Sequence, residues 1–207
     1  MINLYTWGTP NGRKISIMLE AIGEEYQTFT VDILKDQQFY PEFLQISPNN
    51  KIPAIVDPQG PNGEPISLFE TGAILLYLGE KSGKFIPKKP SKRYEMLEWL
   101  MWQMGGFGPF LGQAHHFNRF APNEVPYAKN RYNNEAQRLW SVLNKRLSCR
   151  DYVVDELSIA DFAIYPWAAR YEWQEIALND YPSVKNWMER MQSLDAVQKG
   201  MAVPDTY

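Results

Sequence analysis

The fold is organised around the stretch YTWGTPNG, residues 5–12, where a short aromatic run meets a helical pattern. Residues 2–7 are short and aromatic and are bounded by Gly8, which favours a buried strand that ends in a turn. Residues 13–22 follow with apolar side chains at helical spacing. Thr9 suits a helix N-cap and Pro10 suits the first helical position, since proline has no N–H to leave unpaired there. The sequence predicts a helix N-terminus that attracts a negative group, or a threonine that merely caps a structural helix.

The segments that follow extend this strand and helix. Residues 26–31 alternate as a second strand, which completes a βαβ unit with parallel strands and a right-handed crossover. Residues 37–46 fit no regular period, and we predict one irregular helix there.

Two short apolar runs then predict an antiparallel hairpin. Residues 52–56 and 66–69 are separated by a segment rich in Gly, Pro and Asn. Pro53 cannot donate to a strand ladder, so we place it at the strand's start or at a bend, where its peptide bond can be cis. Residues 71–80 show a helical face, so the first domain reads βαβ, an irregular segment, then ββα.

After Glu80 no strand-like run of comparable strength occurs, and the pattern is helical. Residues 105–109 interrupt or kink it, because they contain three glycines and a proline. Ser158 with Asp161 predicts a capped helix start, and Pro182 opens the final predicted helix. The predicted division is a domain at 1–81, a linker at 82–92 and a helical domain at 93–207.

Composition excludes several classes of protein. The 207 residues carry a net charge of −3, which gives no basic surface for nucleic acid. No stretch approaches about 20 apolar residues, and the N-terminus lacks a basic segment followed by an apolar one, so we expect neither a membrane span nor a cleaved signal. Cys149 is the single cysteine, which excludes an internal disulfide framework and favours a reducing cytoplasm.

Metal binding is not expected either. His115 and His116 are adjacent, so on a helix they point in different directions, and no cysteine or third histidine joins them. We predict a pocket wall or a subunit contact for this pair.

Several motifs in order carry a resemblance to a known family. They are SPNNKIPAIVD at 47–57, LFETGAI at 68–74 and SIAD at 158–161. With these motifs the whole chain resembles the cytosolic glutathione transferases. TPNG at 9–12 and LGQAHHFN at 111–118 resemble the bacterial nu class, which is similar to glutathione-dependent disulfide-bond oxidoreductases. The resemblance implies an α/β thioredoxin-like N-terminal domain plus an all-α C-terminal domain.

The resemblance also implies glutathione as the bound molecule and assigns roles to first-domain residues. Thr9 lies where related classes place a catalytic serine, so its hydroxyl and the Asn11 amide are candidate donors to the glutathione thiolate. Ile52, just before Pro53, is expected to pair with the extended peptide, unless Ile-Pro is an ordinary strand entry.

Further predicted contacts surround these. Glu70 is expected to accept the γ-glutamyl ammonium and Thr71 to bind its carboxylate, unless the pair is simply a polar helix start. Gln38 and Lys51 match positions that contact the glycyl end or the peptide in relatives. Arg131 matches the cation for a second glutathione, with a solvated helix charge as the alternative.

The implied function is disulfide reduction by the thiolates of bound glutathione, which requires no protein cysteine. An alternative is transfer of glutathione to an electrophile held in a hydrophobic cleft, whose candidate residues are Trp7, Phe110, Phe117, Trp167 and Tyr171. A second alternative is a non-enzymatic scaffold, because fold does not fix function. The expected partners are a small disulfide or electrophile, two glutathiones or glutathione disulfide, and a second copy of the chain in a homodimer.

Overall fold

The structure is a computed structural model that describes residues 1–205, and the chain divides into two compact units. The first unit comprises Met1–Lys84 and the segment from Leu194 onward, and the second comprises Phe85–Ser193. The predicted helical domain at 93–207 therefore differs from this division in its last segment, which groups with the first unit. Positions 206 and 207 of that predicted domain lie outside the described residues.

The first unit contains a four-stranded mixed sheet. Its strands are β1 Ile2–Thr6, β2 Tyr26–Thr30, β3 Ala54–Asp57 and β4 Ile66–Phe69. The spatial order is β2-β1-β3-β4, with β1 parallel to β2 and the other neighbours antiparallel. The predicted βαβ unit and antiparallel hairpin are therefore confirmed.

Most of the helices begin at a proline. Proline suits the first helical turn, where its missing N–H has no intrahelical partner. Within residues 1–205, no helix combines the length and apolar character needed to cross a bilayer. In chain order the helices are α1 Pro10–Ile22, α2 Pro41–Leu44, α3 Thr71–Ser82, α4 Pro90–Trp102, α5 Gly108–His115, α6 Pro126–Leu147, α7 Ile159–Ala168, α8 Pro182–Gln192 and α9 Asp195–Met201.

The irregular segment of the first unit forms two short helical pieces instead of the one irregular helix predicted. Gln37–Phe39 is a 3-10 turn and α2 is a single α-helical turn. Tyr40 between them is extended, with φ −66° and ψ 139°. A residue that precedes proline is sterically pushed out of the helical region, so Pro41 separates the two pieces.

Helix α1 is buried between neighbours in the first unit. Ile15 and Leu19 are fully buried, and α1 packs on α3 and also on α9. A Cβ on Gly200 of α9 would lie 2.4 Å from the Ile17 Cα, so only glycine permits this helix approach. The Ser16 hydroxyl donates to the Gly200 carbonyl oxygen at 2.6 Å, which joins the two helices.

The second unit is helical, as predicted. The kink predicted at 105–109 coincides with a π-helical segment at Gln103–Phe107, and His116–Phe120 is a second π-helical segment. Helix α7 begins with the predicted capping box, in which Asp161 accepts the Ser158 N–H at 3.0 Å. The prediction that α8 is the last helix is wrong, since α9 follows it within the first unit.

Candidate functional site

The strand register brings the predicted first-domain residues to one end of the sheet. Tyr5 near the end of β1 is paired with Ala54 at the start of β3, and Ala54 is paired with Phe69 at the end of β4. Thr6 is paired with Thr30, the last residue of the parallel strand β2. Four connecting segments therefore meet at this end of the sheet: those that follow β1, β2 and β4, and the one that precedes β3. They carry these predicted residues: Thr9, Asn11, Gln38, Lys51, Ile52, Pro53, Glu70 and Thr71.

Thr9 is the N-cap of α1, with φ −106° and ψ 162°. Its hydroxyl oxygen accepts the Gly12 N–H at 3.2 Å, and its carbonyl oxygen accepts the Arg13 N–H at 3.1 Å. At the helix N-terminus that was predicted to attract a negative group, the Gly12 N–H is therefore already occupied by the Thr9 cap. Because the Thr9 oxygen acts as acceptor in this bond, the hydroxyl hydrogen can still be donated to a ligand.

Gly12 holds the start of α1 against the end of β1. A Cβ at this position would lie 2.3 Å from the Trp7 carbonyl oxygen and 2.4 Å from the Thr6 hydroxyl oxygen. Thr6 is fully buried and cannot turn its side chain into solvent. The close approach of helix and strand at this turn therefore requires glycine.

The segment before β3 has the predicted cis peptide bond, between Ile52 and Pro53. Pro53 is buried directly ahead of Ala54, so it occupies the position predicted for it. The hydroxyl of the fully buried Ser47 donates to the Lys51 carbonyl oxygen at 2.8 Å, which fixes the backbone just before the cis bond. Ile52 is half-buried, and the Lys51 side chain is exposed.

Glu70 and Thr71 occupy the junction between β4 and α3. Glu70 has φ 69° and ψ 114°, a positive φ that is costly for any residue with a Cβ. Its carbonyl oxygen accepts the Ile74 N–H at 3.0 Å, so the strained residue also starts the helix. Glu70 is exposed whereas Thr71 is 7 % exposed, so a carboxylate at the surface lies next to a hydroxyl at the helix start.

Lys14 is a residue that the sequence analysis missed. It is 2 % exposed, and its Nζ donates to the Thr71 hydroxyl oxygen at 3.2 Å, which joins α1 to the start of α3. The available signal was its spacing, since Lys14 lies three and four residues before Ile17 and Met18 on a buried stripe. A lysine on such a stripe indicates a buried charge with a partner.

Gln38 lies in the 3-10 turn after β2 and is half-buried. Its Nε2 donates to Asp36 at 3.4 Å. Within residues 1–205 its Oε1 is buried without a hydrogen-bond partner. Gln38 therefore offers an amide at the sheet end predicted for the peptide.

Arg131 belongs to the second unit, where its exposed side chain lines a surface cavity of about 620 Å³. Phe110 of α5 and Tyr127 of α6 line the same cavity. Arg138 makes a bidentate ion pair with Glu135 on the same wall, at 2.7 and 2.8 Å. The Arg138 and Arg131 guanidinium groups hold the pKa of Glu135 below its usual range.

The prediction for His115 as a pocket wall or subunit contact is wrong, because this side chain belongs to the core of the second unit. His115 is 6 % exposed and stacks on Trp167, at 5.5 Å between ring centroids. Gln174 donates its amide N–H to the Trp167 carbonyl oxygen at 2.8 Å, and its Nε2 lies 3.2 Å from the His115 Nε2. The Gln174 Oε1 accepts the Trp140 N–H at 2.7 Å, which fixes the amide orientation. His115 must therefore accept at Nε2 and be neutral.

This network predicts an acid sensitivity of folding. Burial, followed by the charges of Arg170 and Arg119, lowers the pKa of His115 from 6.5 to about 4. Between these values the unfolded chain binds a proton that the folded chain does not, so stability is lost as the pH falls from about 6.5 to about 4. The loss is about 3 kcal/mol, because one pKa unit is about 1.4 kcal/mol.

Urea unfolding at several pH values tests this expectation. His115→Gln keeps an acceptor without a titrating ring, so its stability relative to the natural chain should improve as the pH falls. His116→Gln is the matched control, because His116 is exposed, and it should show no such trend. Parallel pH curves for the natural chain and His115→Gln would contradict the assignment.

Cys149 is exposed and lies in the second unit, just after α6. Among residues 1–205 no group of three or more His, Cys, Asp or Glu side chains is arranged to hold a metal ion.

Comparison with known proteins gives the family. The models for the glutathione S-transferase N-terminal and C-terminal domains match residues 1–80 and 110–195. The disulfide-bond oxidoreductase YfcG of Escherichia coli K12 is 53 % identical over 97 % of this chain and 94 % of its own length.

Two solved structures are similar over nearly the whole chain. A glutathione transferase from Pseudomonas putida, with one glutathione disulfide bound per subunit, has TM-score 0.95 and 45 % identity, covering 98 % of this chain and 91 % of its own. A family member from Pseudomonas fluorescens Pf-5, with two glutathiones bound, has TM-score 0.93 and 45 % identity. The match covers 97 % of this chain and 92 % of that protein's chain. Together with the thioredoxin-like sheet and the helical second unit, these matches show that the chain belongs to the glutathione transferase family of enzymes.

Proposed function

We propose that this enzyme is a glutathione-dependent disulfide-bond oxidoreductase of the nu class, in which bound glutathione supplies the reactive thiolate. The observation that carries the proposal is the Thr9 N-cap, whose oxygen accepts from Gly12 and leaves its hydrogen for a ligand sulfur. The chain's single cysteine, Cys149, is assigned no catalytic role. The name of YfcG and the glutathione species in the two Pseudomonas structures support the same chemistry.

The Thr9 hydroxyl is the main activating group for the thiol. A free thiol has a pKa near about 8.5. Helix-end electrostatics contribute about 0.3–1 kcal/mol, which lowers that pKa by less than one unit. A hydrogen bond to a charged group contributes about 1.5–3 kcal/mol, which corresponds to roughly one to two units. The hydroxyl therefore contributes more than the dipole, with the Asn11 amide as the second candidate donor.

The rest of glutathione is an extended zwitterionic peptide, and the same end of the sheet offers matching groups. Ile52 is proposed to pair its main chain with the peptide in the manner of an added strand. Glu70 accepts the γ-glutamyl ammonium, while the Thr71 hydroxyl and N–H at the start of α3 bind its carboxylate. Gln38 and Lys51 are proposed to contact the glycyl end.

The reaction needs two glutathiones and no other reductant. The bound thiolate attacks one sulfur of the substrate disulfide, the S–S bond breaks, and the departing thiolate takes up a proton. A second glutathione thiolate then attacks the glutathione sulfur of the mixed disulfide, which releases the reduced substrate and leaves glutathione disulfide. Arg131 stays the predicted cation for a carboxylate of the second molecule. We further propose a cytoplasmic homodimer as the working form.

A two-substrate panel tests the proposal. Purified enzyme with glutathione should reduce 2-hydroxyethyl disulfide much faster than it conjugates 1-chloro-2,4-dinitrobenzene. Dominant conjugation with negligible disulfide reduction would make the enzyme a transferase. Failure to bind immobilised glutathione, with neither activity, would leave a scaffold.

Replacing Thr9 tests the proposed activation. Thr9→Ala should raise the thiol pKa of bound glutathione by about one to two units, because it removes the hydroxyl donor. At pH 7 the thiolate fraction should fall roughly 8- to 25-fold, since a pKa of about 8.5 replaces one of about 6.5–7.5, and disulfide reduction should slow by up to this factor. The thiolate ultraviolet absorbance of bound glutathione, titrated against pH, measures the shift.

Two variants complete the Thr9 experiment. Thr9→Ser keeps the hydroxyl and should stay close to the natural enzyme. Thr30→Ala removes an exposed threonine at the same end of the sheet and should change neither the pKa nor the rate. An unchanged titration curve in Thr9→Ala would remove Thr9 from the mechanism.

A further inference from the structure

We propose that Lys14 is a positioning residue for the γ-glutamyl carboxylate of glutathione, acting through the Thr71 hydroxyl from inside the protein. This inference rests on the proposed function, because it takes glutathione as the ligand at the end of the sheet. It adds a buried lysine to the binding residues that the sequence analysis predicted.

The location of Lys14 is unusual for a lysine. Its side chain is 2 % exposed on α1, and lysine is almost never fully buried without a partner. Its Nζ donates to the Thr71 hydroxyl oxygen at 3.2 Å, across the packed pair α1 and α3. Burial of this charge costs stability, so an aliphatic side chain of similar length would serve the core better. A function at the Thr71 end explains why a lysine occupies the position.

The hydrogen bond fixes what Thr71 can offer. An amino group that donates requires the Thr71 oxygen to accept, so the hydroxyl hydrogen is directed away from Lys14. A hydroxyl set in this way is a donor, which is the role a carboxylate ligand requires. Lys14 thus orients Thr71 as a donor and also places a positive charge behind it.

The charges match those of the ligand. The γ-glutamyl end carries an ammonium and a carboxylate on one carbon atom, and the protein opposes them with the Glu70 carboxylate and the Lys14 amine. Burial lowers the pKa of Lys14 to about 7, and the charge of Glu70 acts in the opposite direction. A carboxylate bound at Thr71 would act in the same sense as Glu70 and favour the ammonium form.

A ligand-variant cycle tests this role directly. Calorimetry measures the binding of glutathione and of the analogue 4-aminobutyryl-cysteinylglycine, which keeps the amino group and lacks the γ-glutamyl carboxylate. A second analogue, in which the same carboxylate is a primary amide, isolates the charge. Each ligand is measured with the natural enzyme, Lys14→Met and Lys84→Met.

Lys84→Met is the matched control, because it removes a lysine of the same unit whose Nζ donates to the Ile22 carbonyl oxygen at 2.9 Å. Lys14→Met should weaken glutathione binding roughly 10-fold or more, the value expected for a hydrogen bond to a charged group. The affinity for the carboxamide analogue should fall less than about threefold on the same substitution, since this analogue lacks the carboxylate charge that Lys14 is proposed to stabilise. Lys84→Met should bind all ligands as the natural enzyme does.

Kinetics give a second measurement. With saturating glutathione, the kcat of Lys14→Met should stay within about threefold of the natural enzyme's, because Lys14 does not touch the glutathione sulfur. The KM for glutathione should rise. If Lys14→Met does not fold, Lys14→Gln, which keeps a donor without the charge, replaces it in the same cycle.

The outcomes separate the two proposals. Equal losses for glutathione and the carboxamide analogue would make Lys14 a structural residue and overturn the inference. Unchanged glutathione binding in Lys14→Met would overturn it as well, with the proposed function intact. Absence of glutathione binding by the natural enzyme would instead overturn the proposed function, and the inference with it.

Discussion

Gly12→Ala should abolish glutathione binding and destabilise the first unit by about 3 kcal/mol or more, at the upper end of overpacking costs. Helix propensity alone predicts that the variant is more stable, since alanine in place of glycine stabilises a helix interior by up to about 1 kcal/mol. The Cβ contact decides the outcome, because the atom would lie 2.3 Å from the Trp7 carbonyl oxygen. Relief requires that the start of α1 move away from β1, and Thr9 moves with it.

Urea unfolding and calorimetry with glutathione measure the two effects. Gly105→Ala is the matched control, because a Cβ there meets nothing within 4 Å, and it should be close to neutral. The double variant Thr6→Ala with Gly12→Ala should recover neither stability nor glutathione binding, since the closest clash is with a backbone oxygen. Recovery in that double variant, or normal glutathione binding by Gly12→Ala, would show that the turn is adaptable.

Asp161→Ala should destabilise the second unit by about 3–5 kcal/mol. Its carboxylate accepts the Val153 N–H at 2.9 Å, the Ser158 N–H and hydroxyl at 3.0 Å, and the Trp187 indole N–H at 3.0 Å. All these donors are buried, and each buried donor left unsatisfied costs about 1–3 kcal/mol. The loss is a large part of the 5–15 kcal/mol that typically holds a domain together.

Thermal unfolding followed by tryptophan fluorescence checks this value. Asp155→Ala is the control, because Asp155 pairs with Lys92 at 2.6 Å but its side chain is 59 % exposed. Exposed ion pairs contribute about 0–1 kcal/mol, so this variant should unfold almost as the natural protein does. Asp161→Asn, which keeps one acceptor oxygen, should fall between the two. Equal stability of Asp161→Ala and Asp155→Ala would refute the buried network.

Local sequence signals predicted most of the fold. The Thr9-Pro10 pair marked the first residue of α1, and the Ser158 motif marked the start of α7. One aromatic run, one alternating run and two apolar runs marked the four strands. These features depend on neighbours a few residues apart, which is the range that caps, turns and strand periods encode. The parallel pair β1–β2 and the antiparallel pair β3–β4 were predicted from the βαβ unit and the hairpin, whereas the pairing of β1 with β3 was not predicted.

The missed features depend on distant partners. His115 follows an apolar run, yet nothing local shows that Gln174 approaches its ring. Lys14 lies on a buried stripe, but its partner Thr71 is 57 residues away along the chain. Glu70 adopts a positive φ that its residue type disfavours, and surrounding structure rather than propensity holds it there. The roles of the site residues entered through family resemblance and stay predictions.

The packing of α9 on α1 has a consequence for biosynthesis. The ribosome makes residues 1–84 first, but the face of α1 that receives Gly200 waits until Asp195–Met201 have emerged from the exit tunnel. Throughout translation of the intervening 109 residues, from Phe85 to Ser193, that apolar face is open to chaperones or to unwanted association. A stop codon just before Leu194 would make that transient exposure permanent.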